Sequence, residues 1–142
     1  MTIAVDIMTP EKMVLQTEAE SVVVPAFDGE LGILPHHAPL LAQLEPGEIR
    51  LRRGATVDFF AVSGGFVEVE NNRISIFAET AEMAHEIDVE RARQSAEKAK
   101  EVLRSPAPDL NLAEAEAALR RALARLRVAE AVRRHPQTPG VR

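Results

Sequence analysis

Apolar side chains return at every second position through Ile3 to Ala78 and at helical spacing beyond it. In Phe66-Val67-Glu68-Val69-Glu70 the alternation is plain, and it marks a strand with one buried face. Six of the seven glycines lie at or before Gly65, whereas the segment from Glu86 to about Val132 has none and is rich in Ala, Glu, Arg and Leu. The change falls near Ala84. It predicts an α+β chain: a β domain over 1–84, a helical hairpin over 85–135 and a disordered tail over 136–142.

The strands can be placed by their punctuation. Ile3, Val5 and Ile7 alternate with Ala4, Asp6 and Met8, Thr9-Pro10-Glu11 breaks the run, and Met13–Thr17 reads as a second strand. Val22-Val23-Val24 reads as a short strand buried on both faces and halted by Pro25, which has no N–H to give a ladder. Leu31–Leu34, Leu40–Leu44, Gly47–Arg53, Thr56–Val62, Phe66–Glu70 and Arg73–Ala78 follow, with Ser63-Gly64-Gly65 and Asn71-Asn72 as tight turns. Many short strands of this kind predict an antiparallel sandwich or flattened barrel of about eight to ten strands.

The helical part has its own signals. Asp88 is placed to cap Val89–Arg104, with Glu90 in the first turn, and Ser105-Pro106-Ala107-Pro108-Asp109 ends that helix. Asn111, with Glu114 three residues on, opens a second helix that runs to about Arg134 before Pro136. Helices so closely joined form an antiparallel hairpin. Its apolar content is thin. Leu112, Leu119 and Leu126 make one stripe, flanked by Ala115, Ala122, Leu123 and Ala129, and face Val89, Ala92, Ala96, Ala99 and Leu103. Alanine removes little area from water, and burial stabilises by roughly 25 cal/mol per Å². Such a hairpin is expected to be marginal and able to exchange one packing for another.

Composition narrows the function classes. At 142 residues the chain holds one core and an accessory element. It has no cysteine, which excludes disulfides, zinc-thiolate sites and thiol nucleophiles. The start, Met1-Thr2-Ile3-Ala4-Val5-Asp6, has neither a basic region nor a long apolar run, so no signal peptide or membrane span is expected, and any membrane association would come through another protein. Net charge is −5, divided as −8 over residues 1–84 and +3 over 85–142. Between Leu119 and His135 six arginines stand against Glu130 alone, which suggests an acidic partner or a nucleotide phosphate, or else a solvated helix face. Nucleic acid is disfavoured: the helical half has no aromatic residue to stack on bases, and the acidic half repels a polyanion.

No catalytic constellation is visible. Ser63-Gly64-Gly65 lacks the G-x-S-x-G frame, and there is no phosphate-cradling G-x-x-x-x-G-K-[ST] loop. His36-His37, near Asp28 and Glu30, could ligate a metal, but adjacent histidines on an extended segment point to opposite faces, so no metal is expected. The stretch from Phe27 to Leu41 carries Leu31, Ile33, Leu34, Leu40 and Leu41, too many to hide in a loop. Either some are exposed for a partner, or they complete the core.

Three strings together carry a resemblance. Val22-Val23-Val24-Pro25, then Gly29-Glu30-Leu31-Gly32-Ile33-Leu34-Pro35-x-His37-Ala38-Pro39-Leu40-Leu41, then Phe60-Ala61-Val62-Ser63-Gly64-Gly65-Phe66-Val67-Glu68-Val69 resemble, in this order and spacing, the epsilon subunit of bacterial F-type ATP synthase. The match extends from about Val5 to Val132. It implies a ten-stranded sandwich and a two-helix hairpin on the central rotor stalk, against the gamma subunit and the ring of c subunits, with Glu30, Leu31, Gly32 and His37 in the loop facing that ring. It implies a hairpin that either folds down beside the sandwich or extends along gamma into the alpha/beta catalytic hexamer, where it restrains ATP hydrolysis. The arginines from Arg120 to Arg134, among them Arg127 and Arg133, would there meet acidic loops of the beta subunits.

Some bacterial members of that family bind ATP in the folded-down hairpin through an [IL]-D-x-x-R-A motif. Here Ile87-Asp88-Val89-Glu90-Arg91-Ala92 matches it, with Glu82 upstream and Arg121 and Arg125 at corresponding positions of the second helix. Arginine forks suit phosphate oxygens. On a helical wheel, however, Arg121 and Arg125 lie roughly opposite the Leu119/Leu126 stripe, so the wheel does not make a pocket on the inter-helix seam obvious. Asp88 and Arg91 also read as a helix cap with a first-turn ion pair. The resemblance thus implies a non-catalytic subunit that couples proton-driven (or sodium-driven) rotation to ATP synthesis. It needs no cofactor, has ATP as a regulatory ligand, and sits at the cytoplasmic face of a bacterial plasma membrane as part of the complex. A free-standing nucleotide-sensing adaptor of the same build is the rival reading, and a His36/His37 metalloenzyme a third.

Overall fold

Nine strands form at or within a few residues of the predicted places, β1 (Ile3–Met8), β2 (Met13–Ala19), β3 (Ser21–Ala26), β4 (Gly29–Ile33, starting two residues early), β5 (Leu40–Leu44), β6 (Gly47–Arg53), β7 (Thr56–Val62), β8 (Gly65–Glu70) and β9 (Arg73–Ala78), and a tenth that the sequence reading did not place, β10 (Ala81–Met83), follows. The computed structural model describes residues 1–134, the side chains of the last three excepted, and the expected tail at 136–142 lies outside the described residues. One hydrogen-bonded path, β10-β7-β6-β3-β5-β8-β9-β1-β2, contains all strands but β4, which pairs with β3. The path folds over where β3 and β5 share the single pair Ala26↔Leu44, which makes two layers of one sheet. Between them lies a dry core: Ile3, Val5 and Ile7 of β1, Ile49 and Leu51 of β6, Phe60 and Val62 of β7, Val67 and Val69 of β8, Ile74 and Ile76 of β9. Each such side chain stabilises by about 1.5–3 kcal/mol on burial.

Three details depart from the sequence reading. Every ladder is antiparallel except β1 with β9, which is parallel, Ala4 lying opposite Arg73 and Met8 opposite Phe77. No hairpin joins these two strands, so no tight turn dictates their relative direction. Val22 and Val24 are buried but Val23 is half-exposed on the outer face, and β3 runs through Pro25 to Ala26. Pro25 is tolerated because its carbonyl accepts from the Glu45 N–H at 2.8 Å, away from β4; its missing N–H lies on that same side, where β6 has already parted from β3. The strand buried on both faces is β7: Phe60 and Val62 enter the sandwich, while Phe59 and Ala61 are covered from outside by the helices.

Two turns need the left-handed backbone. Asn71 (φ 51°) and Asn72 (φ 57°) make the two-residue β8–β9 connection. Gly65 (φ 134°) sits so near the carbonyl of Phe77 that a Cβ there would collide with it. Asn72 also ties distant segments, since its Oδ1 accepts from the His36 N–H at 2.8 Å and its Nδ2 donates to the Thr2 carbonyl at 3.1 Å.

A 3₁₀ turn, Ala84–Glu86, leads into α1 (Val89–Arg104), and α2 (Leu112–Arg134) returns beside it. Asp88 caps α1 by accepting from the Arg91 N–H at 3.1 Å, and Asn111 caps α2 by accepting from the Glu114 N–H at 3.2 Å. The hairpin is folded down on the sandwich. α2 packs against α1 and against β6 and β7, burying Val128 and Ala131 with Phe59, Ala61 and Ile87. The seam is not the predicted leucine stripe: Leu112 is exposed, Leu119 and Leu126 are half-buried, and the buried positions of α2 among the described side chains are Ala122, Ala124, Val128 and Ala131. A helix covered on two sides has no single apolar face for a wheel to reveal.

Candidate functional site

Where β10 ends and α1 begins alongside α2, a cleft of about 400 Å³ opens. Asp88, Arg91, Ala92 and Ser95 line it from the start of α1; residues three and four apart share a helix face, so these four belong to one surface. Glu82 of β10 and Glu86 of the 3₁₀ turn form the wall on the sheet side, and Arg125 reaches in from α2. Arg125 is held there, its Nε donating to Glu82 Oε1 at 2.7 Å. Glu86 is held as well, by the Met83 N–H at 3.0 Å.

The predicted nucleotide residues are thereby gathered. Glu82, Asp88, Arg91, Ala92 and Arg125 share the cleft, and Arg121 lines a narrow adjoining hollow that also touches Glu82 and Arg125. The seam pocket that the helical wheel did not make obvious is present, because α2 turns its arginine side toward the junction of α1 with the sheet. Of the two structural roles open to Asp88 and Arg91, the cap is made and the ion pair is not. Among the described residues neither Arg91 nor Arg121 enters an ion pair. Arg91, a guanidinium without a carboxylate partner in the first turn of α1, makes a place for an anion in the cleft, and Arg121 adds a second unpaired positive charge in the hollow next to it. The carboxylates opposite can accept from hydroxyl or amino groups. Ser95 and Glu86 were missed from sequence; Ser95 is four residues after Arg91, a spacing that would have marked it.

The segment expected to face a rotor ring is mostly strand. Gly29 (φ 114°) turns the chain into β4, where Glu30 and Gly32 are exposed and Leu31 packs against the sandwich core. His37 is half-buried, its Nδ1 donating to the Ala38 carbonyl at 2.7 Å. The leucine question divides: Ile33 is core, Leu31 and Leu40 pack against it, and Leu34 and Leu41 are exposed. His36 adopts a left-handed backbone (φ 64°) rather than an extended one. No group of three metal-ligating side chains occurs among the described residues.

Of the arginines expected to meet a catalytic head, Arg120 lies 3.4 Å from Glu45 in the β5–β6 connection, and Arg127 is exposed. Arg133 and Arg134 close α2, and their side chains lie outside the described residues. Sequence reading also missed an exposed apolar strip. Met13, Met8, Phe77 and Phe66 are successive cross-strand neighbours on β2, β1, β9 and β8, and a groove of about 310 Å³ runs between Met8, Phe66 and Phe77. The signal was there, since Phe66 has the parity of Glu68 and Glu70.

Family models cover almost all of these elements. Residues 2–84 match the beta-sandwich domain of the ATP synthase delta/epsilon chain, and residues 85–130 match its long alpha-helix domain. The chain belongs to the ATP synthase delta/epsilon family. It is 51% identical over 128 residues to the ATP synthase epsilon chain of Moorella thermoacetica, covering 89% of this chain and 96% of that one. It is 48% identical over 125 residues to the epsilon chain of Desulforamulus reducens, covering 88% and 95%. Among solved structures, a chain of the Euglena gracilis mitochondrial ATP synthase, in an OSCP/F1/c-ring assembly, superposes with a TM-score of 0.78 at 25% identity, covering 91% of this chain and 81% of that one. As a member of this family the chain is a component of ATP synthase. No helix among the described residues is long and apolar enough to cross a membrane.

Proposed function

We propose that this chain is a non-catalytic central-stalk subunit that couples ion-driven rotation of the c-ring to ATP synthesis, and whose hairpin restrains ATP hydrolysis unless ATP holds it down. The sandwich is the anchor. Its apolar strip, Met8, Phe66 and Phe77, suits the gamma subunit, and the exposed Glu30 and Gly32 of β4, with Leu31 and the half-buried His37 beside them, suit the c-ring. The hairpin is the regulator, with Arg120, Arg127, Arg133 and Arg134 meeting the alpha/beta hexamer once it is released. The complex places the chain at the cytoplasmic face of the membrane.

The observation that carries this reading is that the cleft draws Glu82 from the sheet, Asp88 and Arg91 from α1 and Arg125 from α2. A ligand touching all three exists only while the hairpin is docked, so it must stabilise that state, by about 2.7 kcal/mol at a hundredfold excess over its Kd. Titration calorimetry of the full chain with Mg-ATP should show saturable binding; no heat at millimolar nucleotide would reject the cleft as its site. Deleting everything after Ile87 should raise ATP hydrolysis by the assembled enzyme, and an unchanged rate would remove the regulatory role.

A further inference from the structure

β4, the strand that presents Glu30, lies at an edge of the sheet and is anchored by Ile33 in the core and Leu31 against it, while Glu30 and Gly32 are exposed. β4 pairs with β3 and no other strand among the described residues, and the turn at its root passes through Gly29, which has no side chain to pack. What reaches it is Arg50 of β6. Arg50 stands opposite Val23 of β3, and Glu30 of β4 stands opposite Pro25, so the guanidinium crosses over β3 to arrive at Glu30. Nη2 meets Glu30 Oε2 at 2.5 Å, and Nη1 meets Glu48 Oε1 at 3.0 Å. Glu48 is two residues before Arg50 on the same face of β6 and is the better buried of the two carboxylates. Burial works against the charge of Arg50, yet the hydrogen bond to Glu48 and the charge of Glu30 outweigh it and raise its pKa above the ordinary value. One arm of the guanidinium is thus fixed to the body of the sheet, and the other holds a carboxylate that is mostly in solvent.

We propose that Arg50 is the positioning residue of the ring-facing edge: braced by Glu48, it sets the direction of the Glu30 carboxylate and the pitch of the β3–β4 tip. This rests on the reading that Glu30 and Gly32 face the c-ring. A planar fork serves two carboxylates at fixed angles, whereas a lysine's ammonium, with rotatable donors on a flexible stem, fixes no such angle.

The test uses the assembled synthase in membrane vesicles, with protons pumped per ATP hydrolysed as readout, and the full-length chain alone for amide exchange. Arg50→Gln should lower the pumping ratio as far as Glu30→Gln does, and the double variant should be no worse than either single one. Amides of residues 29–33 should exchange about two- to fivefold faster in Arg50→Gln while those of β8 and β9 keep their rates. Arg50→Lys should recover part of both effects. Should Arg50→Gln fail to fold, Glu48→Gln, which releases the bracing arm, should give the same pattern in weaker form. Additive losses, or a normal pumping ratio and normal exchange in Arg50→Gln while Glu30→Gln is impaired, would overturn the proposal. If Glu30→Gln itself pumps normally, the ring-facing reading falls instead, and exchange at 29–33 alone decides whether Arg50 holds the edge.

Discussion

Phe59 and Phe60 are neighbours on one strand and belong to different cores. Phe60 points into the sandwich among Ile, Leu and Val side chains from both layers, and Phe59 points outward into a small joint with Ala61, Ile87, Val128 and Ala131. The first core is broad and made of bulky aliphatic residues. The second is small, three of its five buried residues being alanine or valine, and helped by two ion pairs, Arg125–Glu82 at 2.7 Å and Arg120–Glu45 at 3.4 Å. Partly exposed pairs of that kind contribute up to about 1 kcal/mol each. A strand with a broad core on one side and a thin one on the other is what the proposed release of the hairpin requires, since local opening takes the less buried side first.

That contrast can be broken at three strengths. Phe60→Ala should cost about 3–5 kcal/mol, read by urea unfolding followed by far-ultraviolet circular dichroism; a loss below about 1 kcal/mol would mean the sandwich is not the rigid half. Val128→Ala should cost about 1–2 kcal/mol and do so locally. Hydrogen exchange would then quicken in α1 and α2 while β1, β8 and β9 hold their protection, and quickening of all together would show one cooperative unit in place of two. Arg120→Ala should cost under about 1 kcal/mol of hairpin docking and should lose its effect in high salt. A larger cost than that of Val128→Ala would reverse the order of apolar and polar contributions at the joint.

The sheet was legible wherever one face is buried and the other wet, as in Phe66–Glu70, and wherever a turn demands glycine or asparagine, as at Asn71-Asn72. The strand at Thr56–Val62 was placed as well, but not that it is the one covered on both faces. Both Val22–Pro25 and Phe59–Val62 are unbroken apolar runs, and local sequence does not say which of them a helix will cover. The hairpin shows the same limit. Caps at Asp88 and Asn111 announce both helices, but a wheel drawn for a two-body seam misplaces Arg125, because α2 has the sheet as a third neighbour. The motif residues of the cleft were readable as a string. Their convergence with Ser95 and Glu86 depends on the 3₁₀ turn at Ala84–Glu86, which carries no periodicity to announce it.

The parallel pairing of β1 with β9 has a consequence for how the molecule is made. The first strand cannot take its place between β2 and β9 until some seventy further residues have been synthesised, and closing so long a loop makes this step slow compared with the hairpins β6–β7 and β8–β9. By the time α2 leaves the ribosome, the surface it docks on is already complete. The arm is a late addition to the body, and a chain released after Ile87 would still contain every strand needed to lock its own N-terminus into the sheet.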